Sequence, residues 1–171
     1  KGSLLVGGYV DYVAGPWQVR LGHTQIRFKE DQPLNQYVGF NILGAVPDLS
    51  MADKWVHYDS LGVVYDKGPL QVQAMASKIR YDSAAFEDSR AAYIIAGYRV
   101  GQVTPYLGYS QVKSSASALS QPVPPRLRPL VSLLIAQSHI DQHTVSLVAR
   151  WDFRQNLDLK AQVDFVRGSP R

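Results

Sequence analysis

Apolar and polar residues alternate along this chain with a period of two, in runs of about ten to twelve residues closed off by turn residues, and the pattern occurs eight times. The period is that of strands, whose side chains point alternately to the two faces of a sheet. The length exceeds the five or six residues usual in soluble proteins and matches the roughly 9–11 a tilted strand needs to cross a bilayer. The pattern predicts strands at 3–14, 17–28, 56–66, 70–81, 91–100, 104–113, 142–153 and 157–167.

The last hairpin shows the alternation most cleanly. His143, Val145, Leu147, Ala149, Trp151 and Phe153 take one face, and Thr144, Ser146, Val148, Arg150 and Asp152 the other. The returning strand sets Leu157, Leu159, Ala161, Val163 and Phe165 against Asp158, Lys160, Gln162 and Asp164. The first set suits lipid and the second water. The second strand is less regular: Trp17, Val19 and Leu21 begin one face, yet Ile26 and Phe28 fall on the other, which predicts a bulge or a departure from the membrane near Gly22.

Connections alternate in length. Gly15-Pro16, Lys67-Gly68-Pro69, Gly101-Gln102-Val103 and Arg154-Gln155-Asn156 are short turns, while 29–55, 82–90 and 114–141 are long loops. Short turns at one end and long loops at the other are the habit of outer-membrane barrels. In the first long loop, Asn35 to Val46 reads as a short helix or an apolar plug folded inward. The third runs through Gln121-Pro122-Val123-Pro124-Pro125-Arg126, which regular structure excludes, into the apolar Leu130 to Ala136.

Composition narrows this picture. With 46% apolar residues the chain is not disordered, and no run approaches the roughly 18 apolar residues of a membrane helix, so any crossing of a bilayer requires a closed barrel. Ten Tyr and three Trp against five Phe favour rings with a polar edge, as a membrane interface requires. The formal charge of +4 comes without a basic cluster, which argues against nucleic acid as a partner. Cysteine is absent, removing disulfides, thiolate metal sites and cysteine nucleophiles.

Candidate chemistry is sparse. His139 and His143 stand four apart, a spacing that joins two metal ligands only on a helix, whereas His143 lies in a strand; no metal site and no cofactor is expected. Asp82-Ser83 near His57 has no Gly-x-Ser-x-Gly elbow or strand-turn-helix context, so no catalytic residues are assigned and an enzyme is not expected. Arginine beside tyrosine, as in Ile79-Arg80-Tyr81 and Gly97-Tyr98-Arg99, fits interface tyrosines next to inward arginines. Gly101-x-x-x-Pro105 lacks a phosphate-loop lysine.

Four segments, Gly8-Tyr9-Val10-Asp11-Tyr12, Trp17-Gln18-Val19-Arg20-Leu21-Gly22, Thr104-Pro105-Tyr106-Leu107-Gly108-Tyr109 and Asn156-Leu157-Asp158-Leu159-Lys160-Ala161-Gln162-Val163-Asp164, resemble the general or phosphate-selective-like porins of Gram-negative outer membranes. The resemblance implies an all-β fold, an antiparallel transmembrane β-barrel of about 16 strands, about eight of them in this chain. It also implies residence in the bacterial outer membrane among its lipids, passive diffusion of small hydrophilic solutes, and association as a homotrimer. Inward charges are then the working residues of the pore. The alternation assigns Arg20, Arg99, Arg150 and Lys160 to the interior, opposed by Asp11, Asp152, Asp158 and Asp164, a mixture that predicts weak selectivity. Such porins finish on a strand with a terminal aromatic, whereas this sequence stops at Arg167-Gly168-Ser169-Pro170-Arg171, the look of another loop, so an internal or C-terminal-half fragment of the barrel is expected.

Two other readings predict different chemistry. A small eight-strand barrel serving as anchor or adhesion module would close on itself and fill its interior with side chains. A soluble lipocalin-like ligand-binding barrel would be apolar inside and polar outside.

Overall fold

The computed structural model of the chain describes residues 3–116 and 118–168. They form eight strands, β1 (Leu4–Ala14), β2 (Trp17–Arg27), β3 (Trp55–Lys67), β4 (Leu70–Tyr81), β5 (Asp88–Tyr98), β6 (Val103–Ser115), β7 (Asp141–Arg154) and β8 (Leu157–Gly168). Each pairs antiparallel with the next in a single sheet ordered β1 to β8. The fold is all-β and antiparallel, as expected, with strands of 11 to 14 residues. β1 and β8 do not pair with each other, so the sheet is open. The eight strands therefore do not make the self-closed small barrel. The expected loop at Ser169, Pro170 and Arg171 lies outside the described residues.

Turn chemistry explains the tight end of the sheet. Each of the four hairpins turns through a residue at positive φ: Gly15 (56°), Gly68 (61°), Gly101 (61°) and Asn156 (71°). Two-residue hairpin loops need such a residue to match strand twist, and Gly and Asn take it at least cost. In Gly15-Pro16 and Gly68-Pro69 the proline ring fixes the next φ as well.

Several boundaries differ from the sequence pattern. β5 starts at Asp88 rather than 91 and ends at Tyr98, because Asp88 pairs with Ser115 and its carboxylate accepts the Tyr81 N–H at 2.9 Å, which shortens the middle loop to 82–87. No bulge occurs at Gly22: β2 keeps unbroken register with Tyr9 on one side and Ser60 on the other. Ile26 faces away from Leu21 because it sits opposite Val56 on the other face, and Val56 is buried beneath the long loops. The register irregularity lies instead in β7, between Trp151 and Arg154.

The two faces have opposite chemistry and opposite exposure. Cross-strand register puts Val10, Val19, Val63, Ala74, Ile94, Tyr109, Val145 and Phe165 on one face. Along β5 and β7 this apolar face is the exposed one, while the alternate residues, such as Tyr93, Ile95, Ser146 and Arg150, are half-buried. Exposure of that kind marks the convex side of a curved sheet. Trp17 against Tyr65 (ring centroids 4.7 Å apart) and Trp151 against Phe153 (5.4 Å) gather near its tight-turn end, as an interfacial girdle does.

The only compact apolar core among the described residues is in the loops. The first long loop holds α1 (Leu34–Val38), α2 (Ile42–Ala45) and a 3₁₀ turn at Pro47–Leu49, and the third holds α3 (Arg128–Ala136). Gly39, at φ 76°, breaks the expected 35–46 helix into two. Ile42, Val46, Leu49 and Val131 are buried together, flanked by Leu34, Val38, Leu127, Leu130 and Leu134.

Candidate functional site

The concave face is the natural site, because the backbone groups of the interior strands β2 to β7 are taken up by their neighbours on both sides and only side chains distinguish one part of the wall from another. Its residues are mostly polar and of modest size: Gln71, Gln73, Ser77, Tyr93, Ser110, Thr144, Ser146 and Gln162 share it by register. Tyr106 lies across Gly97, where a Cβ would collide with its ring, and its hydroxyl donates to Gln71 Oε1 at 2.8 Å. The absence of a side chain at Gly97 is what lets that tyrosine lie flat on the wall.

Seven of the eight charges assigned from the alternation share this face: Asp11, Arg20, Arg150, Asp152, Asp158, Lys160 and Asp164. Arg99, the eighth, lies just past the end of β5 at the hairpin, where its N–H donates to Pro69 O at 2.8 Å.

Six of the seven are set in compensated groups, and Asp164 takes its partners from neutral side chains. Arg20 and Asp11, direct cross-strand partners, make a two-pronged pair with both bonds at 2.7 Å, and the guanidinium lies 4.4 Å from the Tyr9 ring centroid. Arg150 reaches Asp152 at 2.7 Å and Asp158 at 3.4 Å, and Lys160 reaches Asp158 at 3.3 Å. Asp164 accepts from Ser146 at 2.6 Å and from Gln162 at 2.9 Å. Paired charges project little field into the space in front of them, so the wall is polar with little bias of sign.

At the long-loop end, the loops lean over this same concave face. Val56 and Ser114, both on it, are buried, whereas Lys113 and Ser115 beside Ser114 are exposed. Two polar clusters pin the loops, and the sequence pattern points to neither because their members are far apart in the chain. In the first, Ser114 Oγ donates to Glu87, His139 Nδ1 lies 2.8 Å from the same carboxylate, and the Glu87 N–H donates to Ser138 Oγ at 3.0 Å. One imidazole nitrogen facing both serine and carboxylate is not a relay for nucleophilic attack, since the base would have no second nitrogen between them. His57 stands 3.9 Å from Asp82, but the Ser83 hydroxyl is spent on Asp48 O.

The second cluster is a latch at Asp48 joining all three loops. Its carboxylate accepts from Ser120 Oγ and Ser120 N, both at 2.6 Å, and from Gln121 N at 3.3 Å; its carbonyl accepts from Ala84 N at 2.8 Å. The Ser120 hydroxyl, with the Ser120 and Gln121 amides, holds this carboxyl below its ordinary value of 3.8. Such a group adds stability that is complete above pH 3.8 and fades as pH falls through the lowered value. Amide exchange at Ser120 and Gln121 is expected to stay slow at pH 7 and 5 and to rise, after correction for intrinsic rates, only below about pH 3.8. Asp48→Ala should show the fast exchange at every pH; unchanged protection in that variant would exclude the latch.

The arrangement is apolar outside, wet inside, tightly turned at one end and looped over at the other. A family model described as Gram-negative porin matches residues 3–170. No curated protein matches the chain by sequence.

Proposed function

Since the chain belongs to the Gram-negative porins and so to the bacterial outer membrane, we propose that its concave face is wall of a water-filled pore through which small hydrophilic solutes diffuse passively. The observation that carries this reading is the inversion of the sheet: Ile94, Leu107, Leu147 and Val163 are exposed on the convex face, while glutamines, serines and paired charges line the other. A soluble ligand-binding barrel needs the reverse. Open edges at β1 and β8 carry unpaired backbone groups that hydrocarbon does not tolerate, so the working barrel includes strands beyond these eight.

In this reading Arg20, Arg150, Lys160, Asp11, Asp152, Asp158 and Asp164 line the pore, and filtering is by size and by a weak field. The long loops, joined through Ile42 and Val131, narrow the mouth. No energy source or cofactor takes part. Homotrimeric association belongs to the same proposal and is read by light scattering of the purified porin in detergent.

Full-length porin added to planar bilayers should give stepwise conductance increments, with a reversal potential near zero in a salt gradient. Absence of steps would refute the pore. A reversal potential close to the limit for a single ion would refute weak filtering by compensated charges.

A further inference from the structure

Above the apolar belt the convex face turns charged, and its charges are not balanced in one place. Cross-strand register lines up His23, Asp59, Lys78, Arg90, Lys113 and Asp141 as one row across six strands. The row is compensated at both ends: Asp59 is taken by His23 at 2.6 Å and Arg80 at 3.2 Å, and Lys113 stands 3.7 Å from Asp141. At its centre Lys78 directly faces Arg90, which directly faces Lys113. Among the described residues, neither Lys78 nor Arg90 has a hydrogen-bond or ion-pair partner. Like charges opposite one another on a sheet face repel, and nothing in the packing of this face requires them.

Immediately toward the membrane centre from that pair the wall dips. Ala76 and Ala92 face each other as the next cross-strand pair, with Leu61 and Leu21 beyond Ala76 in the same row. Their small side chains leave a shallow groove of about 490 Å³ whose lining runs from Leu21, Leu61, Ala76 and Ala92 up to Asp59, Lys78 and Arg90. An anion-seeking pair stands at the top of an apolar trough, at the level where hydrocarbon gives way to headgroups. The long loops place this end of the sheet on the extracellular side.

We infer that Lys78, Arg90 and the groove below them form a binding site for a phosphate-bearing lipid of the outer leaflet, its phosphoryl group between the two cations and one acyl chain along Ala76 and Ala92. The arginine supplies a planar fork matched to phosphate oxygens, the lysine a movable point charge. A neighbouring protein subunit would have to bring a carboxylate to the same spot. A lipid phosphate is the anion that the bilayer itself presents at this depth, with a hydrocarbon tail on the correct side of it.

The test is native mass spectrometry of the full-length porin titrated with diphosphoryl lipid A, with dephosphorylated lipid A and with inorganic phosphate. Wild type should retain lipid A and lose it on dephosphorylation of the lipid, and inorganic phosphate should not displace it. Lys78→Gln/Arg90→Gln should weaken retention about thirtyfold, since each basic residue near a charged lipid surface contributes close to a factor of five. Ala76→Trp, which fills the groove while keeping the convex face apolar, should weaken it too. Single-channel conductance of these variants should stay at the wild-type value, which separates this site from the pore. Equal retention by wild type and the double variant, displacement by inorganic phosphate, or a change of oligomeric mass in the double variant would each overturn the site, the last by showing that the face meets another subunit.

Discussion

Leu147→Arg should destabilise the folded porin by about 2–4 kcal/mol, and Val148→Arg, one residue along the same strand, by much less. The two positions lie at the same depth in β7 and differ only in the face they serve. Leu147 pairs with Leu107 and Val163 on the exposed apolar face, whereas Val148 pairs with Tyr106 and Gln162 on the polar one. An arginine at 147 must carry its charge through hydrocarbon or pull water into it; at 148 it enters a wall that already holds Arg150 two residues on. Reversible unfolding of the full-length porin in lipid vesicles by guanidinium reads the difference. Equal losses at the two sites, or a larger loss at Val148, would mean that the sheet is oriented the other way round. The conductance of the Val148 variant gives a second reading, because a charge added to the wall alters ion flow even where stability is unchanged.

The face assignment behind that prediction was legible from Gln142–Phe153 and Leu157–Arg167, where alternation is nearly perfect because the two sides of the sheet meet two solvents. It failed where a third environment intrudes. At the top of β2 the convex face leaves hydrocarbon and becomes His23, Gln25 and Arg27, while Ile26 turns apolar on the concave face beside the buried Val56. The pattern therefore inverts without any bulge, and of the two readings that parity allows near Gly22, a bulge or a departure from the membrane, the unbroken register removes the first. Strand ends are a second weak point, since alternation carries no signal for the residue at which a strand starts or stops: β5 begins at Asp88, three residues before the pattern shows it. The four tight turns were legible because glycine or asparagine is needed wherever φ is positive.

The loops were legible in extent and in little else. Asp48, Ser83 and Ser120 are brought together from three connections, as are Glu87, Ser114 and His139 from two loops and a strand end. Such contacts are long-range and side-chain specific, and no local periodicity encodes them. The pairing of Lys78 with Arg90 is of the same kind: each looks like an ordinary strand-end cation until register sets them face to face.

The second large effect concerns the mouth. Ile42 is fully buried and holds the first loop to Val131 of the third, so Ile42→Ala removes apolar contact and leaves a cavity in a core too small to close over it. Losses of about 2–5 kcal/mol are usual for such truncations. The strands carry none of that core; their stability comes from backbone pairing and the lipid-facing belt. The cost therefore falls on loop docking alone, and the loop pair should undock while the sheet remains. Thermal unfolding of the porin should be unchanged within a few degrees, amide exchange in residues 34–49 and 128–136 should rise by two to three orders of magnitude, as about 3–4 kcal/mol implies, and single-channel recordings should show larger, noisier openings. Asp48→Ala should loosen the same loops through a separate contact, and the double variant should exceed either alone. Quiet channels of wild-type size in Ile42→Ala, with exchange raised as expected, would show that the loop pair packs at the rim without narrowing the pore.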